Sequence, residues 1–103
     1  MEKKEEGVML SKIPVNLDKL AKTDVDKAVL RAAIIAELDA INLYEQMAYV
    51  TTNKDIRKIL LDVAKEEKTH VGEFQALLLR EDRQQEEELN EGKKEVEGLL
   101  KKE

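Results

Sequence analysis

Two stretches of the chain repeat apolar residues at alternating intervals of three and four positions. This spacing is typical of a helix that buries one face, because residues three and four apart lie on the same side of a helix. The repeating positions of the first stretch, from about residue 23 to 50, are Leu30, Ile34, Glu37, Ile41, Tyr44 and Ala48. Those of the second stretch, which runs on to about residue 82, are Ile56, Leu60, Val63, Glu67, His70, Phe74 and Leu77. The pattern predicts two long helices.

The break between the two helices falls at residues 51–54, Thr-Thr-Asn-Lys. Thr52 or Asn53 suits the N-cap of the second helix, and Thr23 suits that of the first. A connection this short makes the two helices antiparallel, so we predict a hairpin over residues 23–82. Further apolar residues widen the arc of the first helix beyond what one neighbour covers, and the hairpin therefore needs another helical partner.

The two flanking segments carry weaker patterns. Apolar residues of segment 1–22 are interrupted by Pro14 and follow no clean period, which favours an arm lying across a partner subunit or a disordered leader. Residues 83–103 are strongly polar, with a thin apolar edge and two glycines that weaken a helix. We interpret them as either a short third helix or a charged linker.

Composition and charge narrow the class of protein. The chain is 42% apolar and 40% charged but only 3% aromatic, which fits an all-α protein with solvated faces. A net charge of −5 argues against binding nucleic acid, which needs a basic surface. The absence of cysteine excludes disulfides, thiolate zinc sites and cysteine nucleophiles. No apolar run reaches the length of a membrane span and no signal peptide is visible, so we expect a cytoplasmic protein without a membrane partner.

Three polar residues occupy apolar positions of the repeating pattern: Glu37 in the first helix, and Glu67 and His70 in the second. Glu37 lies about 15 residues before the turn, and Glu67 and His70 lie about 14 and 17 residues after it. At a rise of about 1.5 Å per residue, all three stand about 22–26 Å from the turn. In an antiparallel pair, Glu37 therefore faces the gap between the other two.

Two interpretations of these three residues compete. In one they satisfy each other by hydrogen bonds and act only as a register device in a helical dimerisation module. In the other a metal ion sits between the carboxylates, and two carboxylates with one imidazole suit iron or manganese. One Glu and one Glu-x-x-His are half of the ligand set of di-iron bundles, and a two-fold dimer would supply the other half. We favour the metal, with a purely structural metal as a further alternative.

Two segments, residues 36–44 and 66–70, resemble the encapsulated ferritins, which are two-helix members of the ferritin-like superfamily. The resemblance implies a hairpin that dimerises into a four-helix ferritin-like bundle, with a di-iron centre at each dimer interface. It implies a ring-shaped decamer of such dimers. It also implies a ferroxidase inside an encapsulin nanocompartment, where an encapsulin shell protein encloses the stored iron.

The resemblance assigns roles to individual residues. The iron ligands would be Glu37, Glu67 and His70, and Tyr44 matches a family tyrosine near the centre. From the residues alone we favour core packing with a satisfied hydroxyl for Tyr44, with a hydrogen bond to a ligand or electron donation as the alternative. We expect oxidation of Fe²⁺ with dioxygen or peroxide as the acceptor. Since His70 binds metal only when unprotonated, we expect metal binding to weaken below about pH 6.

Other positions match the family less well. Asp39 corresponds to an acidic residue at a metal access site on the outer face, but its acidic neighbour is replaced here by Ala36, and a family tryptophan by Leu43. Glu66 is a secondary ligand candidate, ranked below Glu67 because its helix face is solvated. Residues 96–103 do not resemble the tail that targets cargo to a shell. We therefore consider that residues 83–103 lead to a shell domain.

Overall fold

The computed structural model describes residues 22–101, which form three helices and no strand. Helix α1 spans Lys22–Val50, α2 spans Lys54–Glu81 and α3 spans Arg83–Lys101. The predicted all-α fold with a third, C-terminal helix is confirmed. The arm predicted over residues 1–22 lies outside the described residues except for Lys22, which opens α1. None of the described helices is long and apolar enough to cross a membrane.

Helices α1 and α2 form the predicted hairpin, and the cap of α2 is one of the two predicted residues. The Asn53 side-chain oxygen accepts a hydrogen bond from the backbone N–H of Ile56 at 3.0 Å. The prediction of Thr23 as the N-cap of α1 is wrong, because Thr23 lies within the helix, which the structure describes from Lys22 onward.

The turn of the hairpin is fastened by Arg57, from the first turn of α2. Its Nε donates to the carbonyl of Ala48 at 2.9 Å, and a terminal nitrogen donates to the carbonyl of Thr51 at 2.5 Å. The last carbonyls of a helix have no partner within the helix, so this side chain stabilises the end of α1. The register between the two helices is thereby fixed at the turn.

The core of the described chain is small. Four apolar residues are buried, namely Ile41, Ala48, Ala64 and Leu78. At the two ends of α2, the repeating positions Ile56 and Leu77 are 50% and 46% exposed, so the single hairpin does not bury them. A straight helix drifts by about 20° per seven residues against a strict seven-residue repeat, so after three repeats the buried position passes from Leu77 to Leu78.

Helix α3 leaves the hairpin. It contacts the end of α2, and its residues from Glu86 onward are exposed. The described chain consequently measures 47 × 44 × 23 Å rather than forming one rod. Because α3 contacts only the end of α2, it leaves most of the apolar surface of the hairpin uncovered.

Candidate metal centre

Glu37, Glu67 and His70 meet in the middle of the hairpin. Glu37 comes from α1, and Glu67 and His70 come from successive turns of α2. His70 Nδ1 lies 3.1 Å from Glu67 Oε1 and 3.5 Å from Glu37 Oε1. One ligand atom from each residue lies within 4.8 Å of the others. The structure thus brings together the three residues that the count from the turn placed at one level, and we call them the trio.

The trio leaves one polar atom unsatisfied. Glu37 Oε1 is buried and has no hydrogen-bond partner. Glu67 Oε1 has a partner, because its contact with His70 Nδ1 has hydrogen-bond length. Both carboxylate side chains are only 19% exposed. A buried carboxylate oxygen without a partner is costly, and a cation bound between the two carboxylates would remove that cost.

The donor set of the trio fits a first-row transition metal. Two carboxylates and one imidazole match the mixed oxygen and nitrogen ligands of iron and manganese sites. Nδ1 is the ring atom of His70 that faces both carboxylates. In the tautomer that carries its proton on Nδ1, that proton is donated to Glu67, and a metal bound at Nδ1 would displace it. Three protein ligands leave further coordination positions to be filled from outside the hairpin.

The trio lies at an edge of the hairpin that also carries apolar residues. The His70 side chain is 44% exposed, and Ile56, Ile59 and Leu77 lie on the same edge of α2 at helical spacing. Ile59 is 62% exposed, and the other two are each about half exposed. The exposed Glu66 and Glu73 lie one turn before and one turn after His70. We call the edge of Ile56, Ile59 and Leu77 the site face. Exposed apolar residues of this kind are common where proteins meet a partner.

The other sequence candidates lie outside the trio. Glu66 is exposed and is not among the residues whose ligand atoms converge. Asp39 follows Glu37 by two residues, which places it about 200° around α1 and away from the trio. Tyr44 is half-buried on the same face of α1 as Glu37, about 10 Å farther along the helix axis.

The sequence analysis ended the second helix at about residue 82 but assigned no role to Asp82, the residue between α2 and α3. Its Oδ1 accepts the backbone N–H of Gln85 at 3.1 Å, and its Oδ2 accepts from the Arg31 guanidinium at 2.5 Å. The Gln85 N–H, together with the charges of Lys27 and Arg31, lowers the pKa of Asp82. An Asp three positions before Gln85, at the start of a polar segment, is an N-cap signal that could have located the break.

Known proteins are similar to this chain in sequence and in fold. Residues 12–95 match the family model described as EncFtn-like. The chain is 58% identical over 85 residues to the ferritin-like–encapsulin shell fusion protein of Pyrococcus furiosus. The aligned region covers 82% of this chain and 25% of that protein. It is 40% identical over 67 residues to the encapsulin nanocompartment cargo protein EncC of Myxococcus xanthus, covering 65% of this chain and 51% of that protein.

The chain therefore spans a quarter of the first relative and half of the second. The structure is similar to the crystal structure of the encapsulated ferritin domain from Pyrococcus furiosus. The TM-score is 0.75 at 54% identity, and the match covers 90% of this chain and 95% of that one. A helical hairpin of the encapsulated ferritin type, as the sequence resemblance implied, is confirmed.

Proposed function

The chain belongs to the EncFtn-like family, and from this premise we propose that it is a ferroxidase whose iron ligands are Glu37, Glu67 and His70. The single observation that carries the proposal is the buried Glu37 Oε1, which has no hydrogen-bond partner and lies 3.5 Å from His70 Nδ1. A structural polar cluster would have satisfied this oxygen. A ligand atom, by contrast, acquires its partner when the metal arrives.

A second copy of the chain would complete the centre. One hairpin offers one Glu and one Glu-x-x-His, and di-iron carboxylate bundles use two of each. A two-fold dimer through the site face would bring both sets together around two iron ions and would cover Ile56, Ile59 and Leu77. We propose that such dimers assemble further into the ring-shaped decamer that the family resemblance implies.

The reaction takes two Fe²⁺ ions as substrate. Iron bound at the centre supplies two electrons, and dioxygen accepts them with two protons to give hydrogen peroxide and two Fe³⁺. The anionic oxygens of Glu37 and Glu67 stabilise the higher charge of the product ion. His70 gives up its Nδ1 proton when it becomes a ligand.

Tyr44 is the remaining candidate near the centre. It lies on the face of α1 that carries Glu37, and it is half-buried. We propose that its hydroxyl assists the reaction by hydrogen bonding to a ligand or by donating an electron. Tyr44→Phe keeps the packing of the ring and removes only the hydroxyl. A lower oxidation rate with unchanged iron binding would support this role, and an unchanged rate would leave Tyr44 as core packing.

The names of the relatives suggest where the protein works. One relative is named as a fusion to an encapsulin shell, and another as the cargo of an encapsulin nanocompartment. We propose that this domain acts in the lumen of such a compartment in the cytoplasm, where the shell retains the oxidised iron. Residues 83–103 would then connect the hairpin to the shell.

The test is aerobic addition of Fe²⁺ to the purified protein, with ferric absorbance and subunit association measured together. Glu37→Ala, Glu67→Ala and His70→Ala should each abolish oxidation above the rate in buffer and weaken iron-dependent association. Glu73→Ala is the matched control, since Glu73 is an exposed glutamate on α2 next to the site and outside the trio.

Three outcomes would contradict the proposal in distinct ways. Iron bound by the trio without oxidation would indicate a structural metal. Association that needs neither iron nor the trio, again without oxidation, would indicate a dimerisation module. Iron uptake that survives all three alanine substitutions would mean that the site lies elsewhere.

A further inference from the structure

The junction between α2 and α3 is a helix break of a single residue. Helix α2 ends at Glu81, α3 begins at Arg83, and only Asp82 departs from helical geometry, with φ −136° and ψ 89°. The residues around it, Arg-Glu-Asp-Arg-Gln at 80–84, include neither glycine nor proline. Local sequence therefore permits a continuous helix as well as the break capped by Asp82, and the break has a further cause.

Tertiary contacts supply that cause. The two oxygens of Asp82 are used separately, one by the Gln85 N–H at the start of α3 and the other by Arg31 of α1. The Asp82 side chain is only 13% exposed. Beside it lies a cavity of about 320 Å³ bounded by all three helices, with Arg31, Ile34, Ile35, Gln75, Leu78, Gln85 and Leu89 as its lining. The bend thus places the first turns of α3 opposite the apolar side of α1, across this open groove.

We propose that this junction is a two-state switch. In the bent state, Asp82 is held by Arg31 and caps α3. In the straight state, Asp82 becomes helical and α2 and α3 form one helix over residues 54–101. The proposal does not depend on the metal centre, because Asp82 lies 12 residues, or about 18 Å along a helix axis, from His70.

Few hydrogen bonds change between the two states. In the bent state the Asp82 N–H already donates to the Leu78 carbonyl at 2.9 Å, and the Glu86 N–H to the Asp82 carbonyl at 3.3 Å, as in a continuous helix. Straightening adds the backbone hydrogen bonds of residues 83–85 and gives up the two contacts of the Asp82 carboxylate. An exchange this small can leave two packings within a few kcal/mol of each other.

The switch changes which surface is available. When α3 swings out, Gln85 and Leu89 leave this groove, and Ile34, Leu78 and the already 40% exposed Ile35 lose that wall. A straight helix over residues 54–101 would be about 72 Å long, compared with 47 Å for the longest dimension of the bent chain. The junction therefore couples the direction of α3 to the exposure of this side of α1.

A pair of spin labels measures the state directly. The chain has no cysteine, so Lys65→Cys and Glu97→Cys, both at exposed positions, introduce two unique labelling sites. In one continuous helix these positions are 32 residues and about 48 Å apart, and in the bent state they are closer. Labelled protein is diluted into an excess of unlabelled protein so that only distances within one chain are recorded.

Two variants drive the switch in opposite directions. Asp82→Ala removes the cap and the partner of Arg31 and adds the best helix former, so we expect the distance to lengthen to about 48 Å with no loss of helical circular dichroism. Arg83→Pro places proline at the first position of α3, where it is tolerated, and blocks the continuous helix. We expect Arg83→Pro and the double variant Asp82→Ala/Arg83→Pro to keep the short distance.

The outcomes separate cleanly. An unchanged distance in Asp82→Ala would overturn the proposal, and so would a loss of helical signal, which would mean that α3 melts instead of straightening. Arg31→Ala provides an independent arm because it leaves Asp82 in place as a cap. A partial shift toward the longer distance in Arg31→Ala supports the role of the contact with α1, whereas no shift contradicts it.

Discussion

Two carboxylates of this protein sit in shielded positions, and their surroundings are opposite. Asp82 uses one oxygen for the Gln85 N–H and the other for Arg31. Glu37 has a buried oxygen with no hydrogen-bond partner, although it lies near His70 and Glu67. The Glu37 and Asp82 side chains are similarly shielded, at 19% and 13% exposed. Burial therefore does not distinguish these two carboxylates, and the completeness of their hydrogen bonding does.

We infer from this difference that Asp82 stabilises the fold, whereas Glu37 is available to a ligand. A satisfied carboxylate contributes to the metal-free fold and gains less from binding a cation. An unsatisfied one destabilises the metal-free fold and regains that free energy when a cation binds. The same distinction predicts opposite responses to mutation at Glu37 and Asp82.

The largest expected difference is in iron oxidation. Glu37→Gln keeps the shape of the side chain but removes the anionic oxygen, and we expect the initial rate to fall at least about 100-fold. Asp82→Asn makes the equivalent change at the satisfied carboxylate and should leave the rate within about twofold, because an Asn still caps a helix. Stopped-flow absorbance of ferric iron measures both. Equal losses in the two variants would remove the functional distinction between them.

The second difference is in the stability of the metal-free protein. Glu37→Leu removes the unsatisfied oxygen, so we expect the free energy of unfolding to rise by about 1–3 kcal/mol. Asp82→Ala removes a satisfied carboxylate and should lower it. Urea unfolding with a chelator present, at one fixed protein concentration, gives both values.

Glu73→Leu is the control, since Glu73 is solvent-exposed and its replacement should change little. A loss of stability in Glu37→Leu would show that Glu37 supports the metal-free fold after all.

These two carboxylates also show what the sequence could and could not reveal. The meeting of Glu37 with Glu67 and His70 was predictable, because it follows from a seven-residue apolar pattern, a short turn and the constant rise of a helix. Each of these is a local property of the chain. The hairpin and its Asn53 cap were predictable for the same reason.

The break at Asp82 depends on Arg31, which is 51 residues away. The strongly polar segment from residue 83 and the capping spacing to Gln85 indicate where α2 ends, but neither reveals the contact with Arg31. The exposure of Ile56 and Leu77 likewise depends on how a straight helix drifts against its partner over its whole length. Interactions between distant residues decided these features, and no local pattern encodes them.

A smaller effect is expected on acidification. The pKa of Asp82 is lowered by the Gln85 N–H and by the charges of Lys27 and Arg31. The Asp82 carboxylate therefore stabilises the bent junction fully at any pH above the pKa that Asp82 has in the unfolded chain. That stabilisation is lost as the pH falls through the lower pKa of the folded state. We expect the distance between labels at positions 65 and 97 to change only below about pH 4. Asp82→Asn should remove this transition, and an identical transition in that variant would assign it to another carboxylate.

The smallest effect is expected where a carboxylate is open to water. Glu45 forms an ion pair with Lys68 across the hairpin at 3.0 Å, but the two side chains are 45% and 60% exposed. Water replaces the lost partner, so Lys68→Ala should change the free energy of unfolding by less than about 1 kcal/mol and leave iron oxidation unaltered. Urea unfolding at low and high salt measures this. A larger loss would mean that even a solvent-exposed carboxylate depends on its partner for stability. The difference between Glu37 and Asp82 could then not be explained by shielding from water.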